Sequence, residues 1–187
     1  MTESNVETKL VLFIHGGGDN GYQADAMLAG SLQRELGAAY NVRYPQMPDE
    51  PTPDFGWGRK IGDEIAATDG ELLLVGHSLG ASMLLKYLSE NEIQNRIGGI
   101  FLTATPFWTG DEDWQKGLAL RDQFARTLPR GVPLFLYHSE DDKEVDVSHL
   151  DIYVAKIPQA TVRRIPSGGH QFGNDLALVA QDIRDLK

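Results

Sequence analysis

Leu72-Leu73-Leu74-Val75-Gly76-His77-Ser78-Leu79-Gly80-Ala81 runs from a four-residue apolar block, through a glycine-flanked serine, into the helix-forming residues 81–88. A serine at the apex of such a strand-turn-helix sits on a sharp, strained turn that lifts its hydroxyl clear of the sheet. Side chains two residues before and two after the apex would collide, and glycines 76 and 80 occupy those positions. Ser78 is therefore the candidate attacking hydroxyl.

Outward from this motif, short β-branched and aliphatic runs alternate with helix-period segments. That is the pattern of βαβ units, and it predicts an α/β protein with a parallel sheet covered by helices on both faces. Six strands are expected, over residues 10–14, 41–44, 72–75, 99–103, 133–137 and 161–165. Residues 24–36 carry Leu28, Leu32 and Leu36 at a spacing of four and end at Gly37, which reads as a helix with a glycine C-cap. Pro45, Pro48, Pro51 and Pro53 forbid helix, so residues 46–54 form an irregular loop ahead of a helix holding Ile61 and Ile65. Leu120, Phe124 and Leu128 mark a further helix, residues 147–157 another, and Leu176, Val179, Ile183 and Leu186 a last one.

Length and composition narrow the chemistry. A chain of 187 residues with 41% hydrophobic content fits one domain, 1–187, with one well-filled core. Its formal charge of −10 repels nucleic acid and anionic membrane surfaces. With no cysteine, disulfides, thiolate metal sites and a cysteine nucleophile are excluded. Residues 1–9 are polar, and no stretch reaches the roughly 18 apolar residues of a membrane span, so a cytoplasmic location is expected. No His-Glu-x-x-His or comparable ligand spacing occurs, and neither a metal nor a cofactor is expected. Nothing in the pattern selects an oligomeric state.

A serine hydroxyl attacks only when a base takes its proton, and a histidine base needs a carboxylate to hold its tautomer. The strand-turn-helix serine resembles that of the α/β-hydrolases, and the resemblance implies that the acid and then the histidine follow the nucleophile in chain order. Gly168-Gly169-His170-Gln171-Phe172 follows the sixth strand, and its glycines let the loop fold His170 back over the sheet. His15, His77 and His138 precede the candidate acid, and His149 lies in a predicted helix seven residues past Asp142, which leaves His170 as the base. The acid lies in His138-Ser139-Glu140-Asp141-Asp142-Lys143-Glu144-Val145, just beyond the fifth strand. Asp142 is the choice and Asp141 its rival, while Asp146 reads as a helix N-cap. An oxyanion hole needs main-chain amides aimed at the charge that develops on the attacked carbonyl. His15-Gly16-Gly17-Gly18 after the first strand supplies the amide of Gly17, with Gly18 as alternate, and Leu79 supplies the second.

Together, His15-Gly16-Gly17-Gly18, Gly76-His77-Ser78-Leu79-Gly80, Asp142-x-x-Val145 and Gly169-His170-x-Phe172 resemble the α/β-hydrolase superfamily over almost the whole chain. The short chain looks like the compact serine hydrolases of the retinoblastoma-binding-protein type and related bacterial esterases. Asp146 stands where that family's Asp-x-x-Val-Pro pattern has proline. The resemblance implies strand order 2-1-3-4-5-6, an active site at the carboxyl ends of the strands and no large lid, since residues 104–132 have room for one helix and its loops. It implies a serine hydrolase that cleaves a small or medium carboxylic ester, a small-molecule substrate, through an acyl-enzyme carried by Ser78, His170 and Asp142. Phe107, Trp108 and Trp114, with Phe55 and Trp57 from the proline-rich loop, are the expected pocket walls.

Two other classes compete. Gly16, Gly18 and Gly21 also satisfy the Gly-x-Gly-x-x-Gly dinucleotide fingerprint of an oxidoreductase, but the second strand ends Arg43-Tyr44-Pro45 with no ribose-binding acid. A non-catalytic interaction protein on the same fold is the other, because fold does not imply function.

Overall fold

The computed structural model describes residues 8–186. Residues 1–7, most of the polar opening, and residue 187 lie outside the described residues. Each predicted strand is present: β1 (Lys9–Ile14), β2 (Tyr40–Arg43), β3 (Glu71–His77), β4 (Arg96–Thr103), β5 (Leu134–Ser139) and β6 (Thr161–Ile165). They form one parallel sheet in the order β2-β1-β3-β4-β5-β6.

The continuous apolar runs make sense once both faces are covered, because successive side chains point to opposite sides of a strand. Leu12, Ile14, Leu72, Leu74, Ile100, Leu102 and Leu136 face α2 (Trp57–Ala66), α3 (Leu79–Glu90) and α5 (Ser148–Lys156). Val11, Phe13, Leu73, Val75, Phe101 and Tyr137 face α1 (Gly21–Leu36) and α6 (Ala177–Arg184). Leu28, Leu32 and Leu36 are all buried on α1, and Gly37 ends it at φ 71°, where its N–H caps the Gln33 carbonyl at 3.0 Å. One polar tie crosses the second layer: Asp182 of α6 accepts hydrogen bonds from Tyr137 at 2.7 Å and from Arg163 at 2.8 and 3.1 Å.

The helix expected around Leu120, Phe124 and Leu128 is a correction. The segment after β4 holds a 3₁₀ turn, Asp113–Gln115, and a single helical turn, α4 (Phe124–Thr127). Leu118, Phe124 and Leu128 are buried from mostly irregular chain, and a Cβ on Gly117 would overlap the main chain of Pro53. Phe124 packs edge-on against Tyr153 of α5, and tertiary packing, not helical periodicity, spaces these apolar residues.

Register brings the chemistry to one edge. Ile14 pairs with Gly76, Gly76 with Leu102, and Thr103 with Tyr137, so the loops leaving β1, β3, β4 and β5 emerge side by side at the carboxyl ends.

Candidate active site

Ser78 sits between β3 and α3 at φ 51°, ψ −123°, a strained setting for a residue with a side chain. Its N–H donates to the Thr103 carbonyl at 2.9 Å, and its own carbonyl accepts from Ala81 and Ser82, so strand and helix clamp the apex from both sides. A Cβ on Gly76 would come within 2.6 Å of the Ala81 Cα, and one on Gly80 would overlap the carbonyls of Ile14 and His15. The two glycines allow α3 to start directly over β1 and β3.

After β5 the chain turns tightly, with the Asp142 N–H donating to the Ser139 carbonyl at 3.3 Å. The side chain of Asp142 is fully buried, and its Oδ1 accepts the N–H groups of Glu144 and Val145 at 2.8 and 3.0 Å. Its Oδ2 lies 2.9 Å from His170 Nδ1. Burial alone would raise the Asp142 pKa, but the His170 hydrogen bond and the two amides outweigh it and hold the carboxyl below the usual range. An ionised acid therefore faces Nδ1 and leaves Nε2 of His170 free to accept a proton. His138 Nε2 lies 3.4 Å from the same oxygen and donates to the Val145 carbonyl at 2.8 Å, bracing the acid turn from below.

Asp141 points elsewhere. Its carboxylate accepts the N–H groups of Gly169 at 2.8 Å and Gly168 at 3.3 Å, and both glycines hold positive φ, 62° and 134°. It grips the backbone of the His170 loop while Asp142 meets the ring. Asp146 Oδ1 accepts the Ser148 N–H at 2.9 Å, serving the entry of α5.

The loop after β1 lies beside the apex. A Cβ on Gly16 would meet Ser78 Cβ and His77 Nδ1 at 3.3 Å, and one on Gly17 would press into the Leu79 side chain at 2.6 Å. Gly21, the third residue of the dinucleotide-like pattern, opens α1 so close to the turn that a Cβ would overlap the Gly16 carbonyl. Packing of Gly16 against the apex and of Gly21 against Gly16 explains all but Gly18 of that fingerprint. The Gly16 N–H is taken by Asp25 Oδ2 at 2.6 Å, whereas among the described residues Gly17 N–H makes no hydrogen bond and Leu79 N–H, at the first position of α3, has no intrahelical acceptor.

Ser78, His170, Gly17, Glu144 and Asp25 line one cleft of about 230 Å³. A second, about 350 Å³, lies across Gly17 and is walled by Tyr22, Met47, Phe55, Trp57 and Leu79. Trp57 is fixed there by Nε1 donating to the Pro48 carbonyl at 2.9 Å and by edge-on packing with His15. Phe107 and Trp108 line neither cleft. Phe107 packs on Tyr153, and Trp108 donates to the Ser82 hydroxyl at 3.1 Å and meets Trp114 edge-on. A wider hollow of about 920 Å³ lies at the amino ends of β1, β3 and β4, but its lining, from Thr8 to Arg96, includes no histidine or serine.

Three polar residues at the site escaped the sequence reading: Asp25, Glu144 and His77. Glu144 Oε2 stands 3.8 Å from His170 Nε2 at the exposed mouth. Asp25 carried a readable signal, a carboxylate on the same α1 stripe as Leu28, Leu32 and Leu36. Among the described residues no group of three or more metal-ligating side chains is gathered, and no helix is long and apolar enough to cross a membrane.

A family model described as "Serine hydrolase" matches residues 17–174. No curated protein sequence matches the chain. Among solved structures, the ydeN gene product of Bacillus subtilis superimposes with a TM-score of 0.72 at 21% identity, covering 96% of this chain and 98% of that one. A lipase-esterase related protein from Clostridium acetobutylicum gives 0.67 at 14% identity, covering 98% and 96%. The methylesterase protein MES16 from Arabidopsis gives 0.67 at 13%, covering 95% and 98%. At these identities the likeness is one of fold.

Proposed function

We propose that this chain, which belongs to the serine hydrolase family, cleaves a small or medium carboxylic ester through an acyl-enzyme on Ser78. The observation that carries this reading is a strained serine sharing a cleft with a histidine whose Nδ1 is held by a buried, ionised aspartate. In the first half-reaction Ser78 Oγ attacks the ester carbon while His170 Nε2 takes the hydroxyl proton. The negative charge that forms on the carbonyl oxygen is met by the free amides of Gly17 and Leu79. Collapse breaks the bond to the leaving oxygen, which receives the proton from Nε2 and departs as the alcohol. A water then gives its proton to His170, attacks the acyl carbon and releases the acid, and Ser78 regains its hydrogen. Asp142 stays ionised throughout and stabilises the imidazolium.

The cleft of about 350 Å³ beside Gly17 is of the size that holds a small ligand, and its aromatic and thioether lining supports an apolar acyl or alcohol group. Two fold neighbours, a lipase-esterase related protein and a methylesterase, bear names that agree with an ester as substrate class.

Hydrolysis of p-nitrophenyl butyrate by wild type and Ser78→Ala tests the reading. Loss of Ser78 should lower kcat by about 10⁴-fold or more and abolish labelling by a fluorophosphonate. Retained turnover or labelling in Ser78→Ala would overturn it.

A further inference from the structure

Asp25 and His77 form a buried pair that acyl transfer, as drawn above, does not use. Their side chains are 2% and 1% exposed, and His77 Nδ1 lies 2.7 Å from Asp25 Oδ2. At such burial each polar atom needs a hydrogen-bond partner. The partners come from both sides of the cleft. Asp25 Oδ2 also accepts the Gly16 N–H at 2.6 Å, and Oδ1 accepts from Gln171 Nε2 at 3.1 Å. His77 Nε2 faces the His170 main-chain carbonyl at 2.9 Å; a carbonyl only accepts, so Nε2 donates, while Nδ1 meets the Asp25 carboxylate.

The geometry points to Asp25 and His77 as positioning residues that fix the His170 loop relative to the Gly16-Gly17 turn, so that the base and one oxyanion amide keep their separation as charge develops. This rests on the roles given above to Ser78, His170 and Gly17. The chain from His170 carbonyl through the His77 ring and the Asp25 carboxylate to the Gly16 N–H is a strut with a hydrogen bond at each joint. A second arm runs from Gln171. The His77 ring also lies 4.8 Å from the His170 ring, centre to centre, and forms the floor beneath it. An apolar pair of the same volume would fill the space without reaching either loop. The hydrogen bonds of Asp25 outweigh the effect of burial and keep its pKa below the ordinary range, consistent with a fixed carboxylate here.

Preorganised electrostatics act on the transition state far more than on substrate binding, so loss of the strut is read in kcat and not in KM. The test uses Asp25→Asn and His77→Gln, with active enzyme counted by fluorophosphonate titration. Each should lose about tenfold to a hundredfold in kcat toward p-nitrophenyl butyrate with KM within about twofold of wild type, as expected for a displacement near 1 Å. An alkylboronic acid, which mimics the tetrahedral species, should weaken by the same factor as kcat/KM. A merely structural role would lower the melting temperature while leaving kcat per titrated site unchanged. Unchanged kcat in both variants overturns the inference. If Asp25→Asn does not fold, Gln171→Ala carries the test at the half-exposed end of the network; a several-fold fall in kcat supports the strut, and wild-type kcat refutes it. A wild-type protein inert to both ester and fluorophosphonate would instead sink the esterase reading, whereas an active wild type with unaffected variants sinks this inference alone.

Discussion

The Asp142 carboxylate receives two main-chain N–H groups and the His170 ring, while that of its neighbour Asp141 receives the N–H groups of Gly168 and Gly169. On the proposed mechanism, Asp142→Asn leaves an amide that offers the imidazole the wrong partner, and kcat should fall by about 10⁴-fold. Asp141→Ala loosens the loop without touching the ring, and about a tenfold loss is expected, in line with a small displacement of the base. Steady-state kinetics on the two variants check the contrast; equal losses would contradict it. The sequence left both aspartates open because they are adjacent on one turn, and only the direction in which the backbone presents each side chain separates them. Trp57 and Phe55 line the cleft beside Gly17, whereas Phe107 and Trp108 pack elsewhere, and no local pattern encodes which way an aromatic on a long irregular segment will turn.

Among the elements, the junction of β3 and α3 is the tightest. Gly80 lets the first turn of α3 lie against the last residue of β1, where any Cβ would overlap two carbonyl oxygens. Main-chain atoms cannot swing aside as a side chain can, so Gly80→Ala should destabilise the fold by about 3 kcal/mol or more. A shift in the urea midpoint measures this, and a wild-type midpoint would show that helix and strand separate more readily than the packing implies. The inner strands β1, β3, β4 and β5 were legible because burial on both faces imposes long apolar runs, a strong local signal, whereas the half-buried edge strands β2 and β6 carry shorter ones. The segment after β4 was not: its apolar residues fall at helical spacing, yet contacts distant in sequence shape it, Phe124 against Tyr153 and Gly117 against Pro53.

At the scale of the whole molecule, buried ionisable groups tie stability to pH. Burial pushes His15 and His138 below the usual histidine range. His15 Nε2 accepts the Met47 N–H at 2.9 Å, so adding a proton there breaks that bond. Burial would raise Asp25, Asp142 and Asp182, but hydrogen bonds led by those from His77, His170 and Arg163 hold all three low. In every case the unfolded chain binds protons that the folded chain refuses, so stability falls with falling pH. The two histidines begin to act below about pH 6.5 and the aspartates as pH drops through about 4, the values of the unfolded groups. Urea unfolding at pH 7.5, 5.5 and 4 should give a stepwise loss of stability; a flat profile would mean that these groups titrate alike in both states. The strand order was legible only through the resemblance, since parallel neighbours in the sheet, such as β1 and β3, are far apart along the chain. The bond from Gln171 to Asp25 spans 146 positions and closes the cleft from both sides. During synthesis the amino-terminal half of this pocket emerges before its carboxyl-terminal half, so on the proposed mechanism the growing polypeptide stays chemically silent until His170, beyond the last strand, has joined the fold.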